Sequence, residues 1–133
     1  MEMYPILMTL KLRFPEPALA LRNKGAQIIT YPSAFATQTG KVHWTPLLTA
    51  RAIETESWII AAAQVGFHNE KRSSYGHSII IDPWGQVQCE LPGVESGPHA
   101  EPSIAVANID LDLVESVREE IPLARRTDVY PEL

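Results

Sequence analysis

Two hydrophobic periods divide this chain. Short apolar runs closed by Pro, Gly, Asn or Asp mark strands, and apolar residues three and four apart mark helices. Ile6-Leu7-Met8-Thr9-Leu10 is a short apolar run ended by Lys11 and Arg13, which reads as a strand or as a damaged start of one. From Pro15 the order becomes regular: Glu16 and Pro17 suit a first helical turn, the helix continues to Asn23, and Gly25 stands where it should stop. Ala26 to Tyr31 predicts a strand stopped by Pro32, and a Ser, Thr and Gly-rich loop follows to Gly40. The spacing of Leu47, Leu48, Ala52 and Ile53 predicts a helix within 42–56, with Thr45 as N-cap so that Pro46 falls in the first turn. Trp58 to Ala63 is continuously apolar, as in a central strand covered on both faces.

Beyond it, Gly66 to Ser74 reads as a loop. Ser78 to Ile81 and Gln86 to Cys89 read as a hairpin turning at Asp82-Pro83-Trp84-Gly85. A Gly, Pro and acid-rich loop over 92–102 precedes an expected strand, Ile104 to Ile109. A final helix from about Leu111 to Glu120 is capped by Asp110 or Asp112, and an irregular tail over 122–133 carries Arg125, Arg126 and Tyr130. The order β-α-β-α-β-β-β-β-α places the chain in the α/β class, a mixed sheet with helices on at least one face.

Composition narrows the function classes. A chain of 133 residues fits one domain with one core. Its 45% hydrophobic and 20% charged residues exclude a disordered or membrane-spanning class. The formal charge of −5 argues against a nucleic-acid partner, and Lys71-Arg72 and Arg125-Arg126 are too short to form a basic stripe. With Cys89 the single cysteine, no internal disulfide and no cysteine metal site can form, which suits a reducing compartment. No apolar run approaches the roughly eighteen residues of a membrane helix, and Met1-Glu2-Met3-Tyr4 lacks a basic signal-peptide start, so the cytoplasm is the expected location.

Several ordered blocks carry a stronger signal: Arg13-Phe14-Pro15-Glu16, Tyr31-Pro32-Ser33-Ala34-Phe35, His43-Trp44 and Ala50-Arg51-Ala52-Ile53-Glu54-Thr55. Ala61-Ala62-Ala63-Gln64, Ser74-Tyr75-Gly76-His77-Ser78 and Asp82-Pro83-Trp84-Gly85 follow in the same sequence. Together they resemble the carbon–nitrogen hydrolase (nitrilase) superfamily, and within it the Nit branch that contains the deaminated glutathione amidases. The resemblance runs from Arg13 to about Tyr130 and corresponds to the C-terminal half of that family's domain. It implies half of a four-layer αββα sandwich, a small-molecule amide substrate, no cofactor, and a C-terminal arm that makes a homodimer. For the full-length parent a mitochondrial location is also compatible. On this basis residues 1–12 are a poorly matching segment, 13–121 a partial hydrolase domain and 122–133 the arm.

The same resemblance implies a Glu base, a Lys and a Cys nucleophile, because a thiol needs a base to take its proton and a cation to hold the developing oxyanion. The family places its Glu and Lys upstream of the matched blocks, and its Cys four residues before the arginine, where this chain has Thr9. A threonine hydroxyl has a far higher pKa than a thiol, and its β-branch restricts its rotamers. Lys11 and Thr45 also stand where the family commonly has acids. The chain alone is therefore expected to be inactive, as in a truncated or alternatively spliced product, or to serve as a non-catalytic interaction module.

Arg13 is expected either to meet a substrate carboxylate, for which a planar guanidinium is suited, or to pair with an acid such as Glu54. Ser33, Ala34 and Phe35 follow a strand as a pocket-edge loop does, and Thr39 and His43 are candidates for the same mouth. Cys89 reads as inert, and His68, His77 and His99 share no metal-ligand spacing, so no metal site is expected. Glu115 to Glu120 reads as a solvated face of the last helix.

Overall fold

A computed structural model describes residues 9–97, 101–126 and 128–129. Residues 6–8 of the first apolar run, His99 and Tyr130 lie outside the described residues. The described residues open with a short 3-10 helix, Thr9–Arg13. Helix α1, Glu16–Asn23, starts with Glu16 and Pro17 in its first turn, where a missing N–H and a negative charge are both tolerated. It ends as expected: Gly25, at φ +89, donates to the Arg22 carbonyl while Ala26 donates to that of Leu21, the paired bonds of a Schellman motif.

Strand β1, Ile28–Thr30, leads through the 31–36 loop into helix α2, Thr37–Thr55. This corrects the expected helix start. Thr45 is no cap; the N-cap is Ala36, and Pro46 lies in the helix interior. The reason is burial. Gly40, Trp44, Leu48, Arg51, Ala52 and Thr55 form one buried stripe at helical spacing. Fully burying a side chain such as Trp44 or Leu48 contributes roughly 2–3 kcal/mol each, which outweighs the ~3 kcal/mol cost of an interior proline. The carbonyl that Pro46 cannot bond belongs to Val42, a residue 65% exposed and so open to water. At the helix start a Cβ on Gly40 would lie 2.4 Å from the Tyr75 ring, so only glycine allows this approach.

Four strands make the main sheet in the order β1, β2 (Trp58–Ala61), β5 (Ile79–Ile81), β6 (Val87–Glu90). The first pair is parallel and the others antiparallel, the mixed sheet that the element order predicts. Register puts Ile29, Ile59, Ala61, Ile79 and Ile81 on the face beneath α2, where all are buried, and Ile60, Ile80 and Cys89 on the other. The hairpin between β5 and β6 turns where expected. Gly85 donates to the Asp82 carbonyl, and the Asp82 carboxylate accepts from the backbone N–H of Trp84 and Gln86 and from Gln88 Nε2.

Two expectations fail. Residues 66–74 form a hairpin of β3 (Val65–Asn69) and β4 (Arg72–Tyr75), anchored where Tyr75 N–H donates to the Phe35 carbonyl at 2.8 Å. Its buried residues are Gly66 and Ser74, so no hydrophobic alternation announces it. Residues 104–109 take no strand pairing among the described residues, and Ile104 and Val106 are 89% and 86% exposed.

Helix α3, Asp112–Glu120, follows with Asp110 Oδ1 accepting from the Asp112 N–H, and it buries Val114 and Val117 while Glu115, Glu119 and Glu120 face water. Its Arg118 reaches back to the carbonyl of Ala26 and to Ser57 Oγ. Beside it, Glu56 ends α2 in the left-handed region, φ 48, and pairs with Arg22 of α1 while 2% exposed. Desolvation holds the Arg118 guanidinium below its ordinary value, with Arg22 adding to that effect and Glu56 opposing it. One buried carboxylate at the end of α2 thus pairs with α1, and the Arg118 of α3 binds the backbone beside it. Glu56→Gln leaves the Arg22 charge uncompensated and is expected to cost about 3 kcal/mol, measured by urea unfolding; a loss below 1 kcal/mol would refute this role.

Candidate functional site

Loop 31–36 connects the sheet to α2, and Tyr31, Ser33, Phe35 and Ala36 are each held by a different neighbour. Tyr31 N–H donates to the Ile60 carbonyl and Ser33 N–H to that of Ala62, while Gln64 N–H donates to the carbonyl of Ser33. The parallel pairing of β1 with β2 therefore continues past both strand ends. Ser33 is 8% exposed, and its hydroxyl donates to the Tyr31 carbonyl. The C-terminal ends of two adjacent parallel strands open here onto a shallow cleft of about 540 Å3, lined by Ser33, Ala34, Ala62, Ala63, Gln64 and Ser78. Such strand ends are where α/β sheets most often bind ligands. Gln64 and Ser78 were not singled out from sequence. The Ala61 to Gln64 run at the end of a parallel strand and the Ser74 to Ser78 block are the signals that could have found them.

Phe35 turns the other way, into the core. It is 4% exposed and packs against the Trp44 ring with centroids 5.1 Å apart. Over its ring, at 5.2 Å, lies the exposed Arg13 guanidinium, whose Nη1 donates to His43 Nδ1 at 3.2 Å. An arginine only donates, so His43 Nδ1 must present its lone pair. Arg13, Phe35 and His43 are thus one cluster, and Ser33 and Ala34 edge the neighbouring cleft. Thr39 lies one turn before His43 on α2, and its hydroxyl donates to the Ala36 carbonyl. The suggested pairing of Arg13 with Glu54 does not form. Arg51, 4% exposed, takes Glu54 at 2.8 Å and donates also to the Leu12 carbonyl at 2.9 Å, which ties the segment carrying Arg13 to α2.

Thr9 opens the 3-10 helix that ends at Arg13. Cys89 lies in β6, at the sheet edge opposite β1, so two strands, β2 and β5, separate it from β1 and the loop that follows it. His68 Nε2 contacts Ser74 Oγ. His77 sits between Glu90 and Glu95, at 2.5 and 2.9 Å, stacked on Tyr75, and its carbonyl accepts from Trp44 Nε1. The Glu95 carboxyl is held below its ordinary value first by its own backbone N–H, against the opposing effect of burial, with the Gly93 N–H and His77 lowering it further.

Helices layered on a mixed sheet, with a cleft at the ends of its parallel strands and the Arg13 cluster beside it, define the class as a mixed α/β scaffold with a candidate ligand pocket. The family model of the carbon-nitrogen hydrolases matches residues 7–119, and the chain belongs to that family. The match starts upstream of Arg13 and includes Thr9. The chain is 54% identical over 120 residues to the probable hydrolase nit2 of Schizosaccharomyces pombe, covering 90% of this chain and 42% of that protein. It is also 54% identical over 112 residues to the deaminated glutathione amidase of Dictyostelium discoideum, covering 84% and 36%. Among solved structures, the NitFhit protein of C. elegans aligns over 98% of this chain and 33% of its own, with TM-score 0.81 and 41% identity. Saccharomyces cerevisiae Nit3, a nitrilase-superfamily member, aligns over 92% and 43%, with TM-score 0.77 and 31% identity. The fold is that of the nitrilase superfamily, and the chain spans about two fifths of the length of the curated relatives it matches.

Beneath the loop lies Tyr31, 0% exposed, with no hydrogen-bond partner for its hydroxyl among the described residues. Burial pushes its phenol up to about 12, opposed by Arg51 and assisted by Glu54. The folded value exceeds the ordinary 10, so stability from the neutral phenol is complete below pH 10 and is lost as pH rises towards 12. Absorbance at ~295 nm, where tyrosinate absorbs, should show a late phase near pH 12 that Tyr31→Phe removes without loss of stability, because that hydroxyl is unpaired; destabilisation by more than about 1 kcal/mol would show that it has a partner.

Proposed function

We propose that this chain supplies the substrate-pocket wall of an amide hydrolase acting on a small, non-peptide amide of the deaminated glutathione kind. The observation that carries this is Arg13. Its guanidinium is exposed yet held by the Phe35 ring and His43, beside the Ser33–Ala34 cleft, a geometry suited to receive a substrate carboxylate bidentately. The naming of relatives as deaminated glutathione amidases supports the same substrate class.

The 133-residue chain does not turn this substrate over. In the family resemblance the nucleophile stands where this sequence has Thr9, and an unactivated hydroxyl cannot replace a thiolate. A second reading, a non-catalytic interaction module that pairs with itself or with a longer relative, is favoured by the exposure of Ile104 and Val106 on one extended segment. In both readings residues 13–121 form the hydrolase portion and 122–133 a dimer arm. We place the chain in the cytoplasm; among the described residues no helix is long and apolar enough to cross a membrane.

The test uses purified chain and deaminated glutathione. Saturable binding, weakened at least tenfold by Arg13→Ala, is expected, with no amide turnover above a Thr9→Val control. Turnover above that control would overturn the inactivity, and binding indifferent to Arg13→Ala would overturn the pocket assignment. Light scattering should show a dimer that truncation after Ile121 converts to monomer.

A further inference from the structure

The first two turns of α2 have two working faces. Thr39 and His43, four residues apart, share the one that meets Arg13. Lys41 lies on another, and with Thr37 and Gln38 it lines a second cleft of about 500 Å3, closed on its far side by Lys71, Arg72 and Ser73 of the β3–β4 hairpin. Three cations thus surround one cleft in a chain whose net charge is −5. None of the three forms an ion pair with a described residue. The neighbouring acid, Glu70, is exposed at the hairpin tip and does not line the cleft. The walls are fixed to each other: Thr37 Oγ1 and Ser73 Oγ are hydrogen-bonded at 2.8 Å, and Ala36 bridges to Ser74. The Arg13 edge and this cleft also hang from one short piece of backbone, since Phe35 carries Arg13 on its ring and the next residue, Ala36, lines the cationic cleft.

We propose that this cleft is a carboxylate subsite, which takes the distal carboxylate of a small acidic amide whose other end lies at the Arg13 edge. Two ammonium groups and a guanidinium around a cleft of this size suit one small anion; a nucleic acid would need a longer cationic track than one cleft provides. Neutral amides lose this contact, so the cleft selects acidic substrates and gives their recognition a salt dependence. The proposal rests on the amide-hydrolase reading for the identity of the ligand, while the binding itself can be measured without turnover.

The test is NMR titration of the 15N-labelled 133-residue chain with N-acetylglycine, and separately with the neutral N-acetylglycinamide and with inorganic phosphate. Saturable shifts at the backbone amides of Thr37, Gln38 and Ser73 are expected with N-acetylglycine alone. They should weaken at least tenfold in the Lys71→Gln/Arg72→Gln double variant and survive Arg13→Gln. Both replaced side chains are exposed, and an unchanged spectrum elsewhere verifies folding; Lys41→Gln supplies an independent variant on the opposite wall. The proposal is overturned if no saturable shift occurs, if the neutral amide acts equally, if phosphate binds as well or better, or if neither variant weakens binding. Loss of this binding with deaminated glutathione still held through Arg13 would remove the subsite and leave the amide-hydrolase reading standing.

Discussion

The stripe by which α2 lies across the sheet fixes nearly everything else in this chain. Trp44, Leu48 and Ala52 are fully buried against Ile59, Ala61, Ile79 and Ile81, and the same helix closes on the β3–β4 hairpin through the glycine at position 40. Tolerating Pro46 mid-helix follows from that contact, as the cost of one missing backbone bond is small beside the apolar area removed from water. Arg51 on the same stripe holds the Leu12 carbonyl, which brings Arg13 to the helix, and His43 on the adjoining face meets it. Glu56 at the far end joins the ion cluster that secures α1 and α3. The pocket edge is thus a by-product of helix packing: no residue of the Arg13 cluster is placed by its own local sequence.

How far this was legible in the sequence depends on which force shapes each element. The apolar runs of β1, β2 and β5, the Gly25 stop of α1 and the Asp82–Gly85 turn announce themselves, because burial on one face and backbone turn chemistry leave local marks. The start of α2 left none, since residues 37–44 are mostly polar and their helix is dictated by what Gly40 and Trp44 touch. The β3–β4 hairpin hides for a related reason: its buried positions are glycine and serine, and its strands are held by ladder bonds and by the loop before α2. Residues 104–109 show the converse error, an apolar run that takes no strand pairing among the described residues.

In the site, the residue types were legible and their grouping was only partly so. Arg13, Phe35 and His43, more than twenty sequence positions apart at the extremes, meet as one cluster, and Ser33 and Ala34 edge the cleft beside it. Gln64 joins that cleft because β1 and β2 run parallel and end together, and Ser78 because β5 starts antiparallel beside the end of β2, facts of pairing and not of composition. Glu54, one of the two partners suggested for Arg13, is taken by Arg51, which is buried and meets no other carboxylate among the described residues.

Because the His43 that meets Arg13 and the Lys41 that walls the cationic cleft both stand on the opening turns of one helix, their relative placement is set by rotational phase. Each residue added to or removed from an α-helix turns all that follows by about 100°. A single deletion between Ala36 and His43 would thus swing one cation wall and the imidazole together out of alignment, while Trp44 would resist by clinging to its seat under the sheet. The segment behaves as a keyed shaft: its side chains can be exchanged one at a time, but its length cannot, and variation in this stretch should run through substitutions with almost no insertions or deletions.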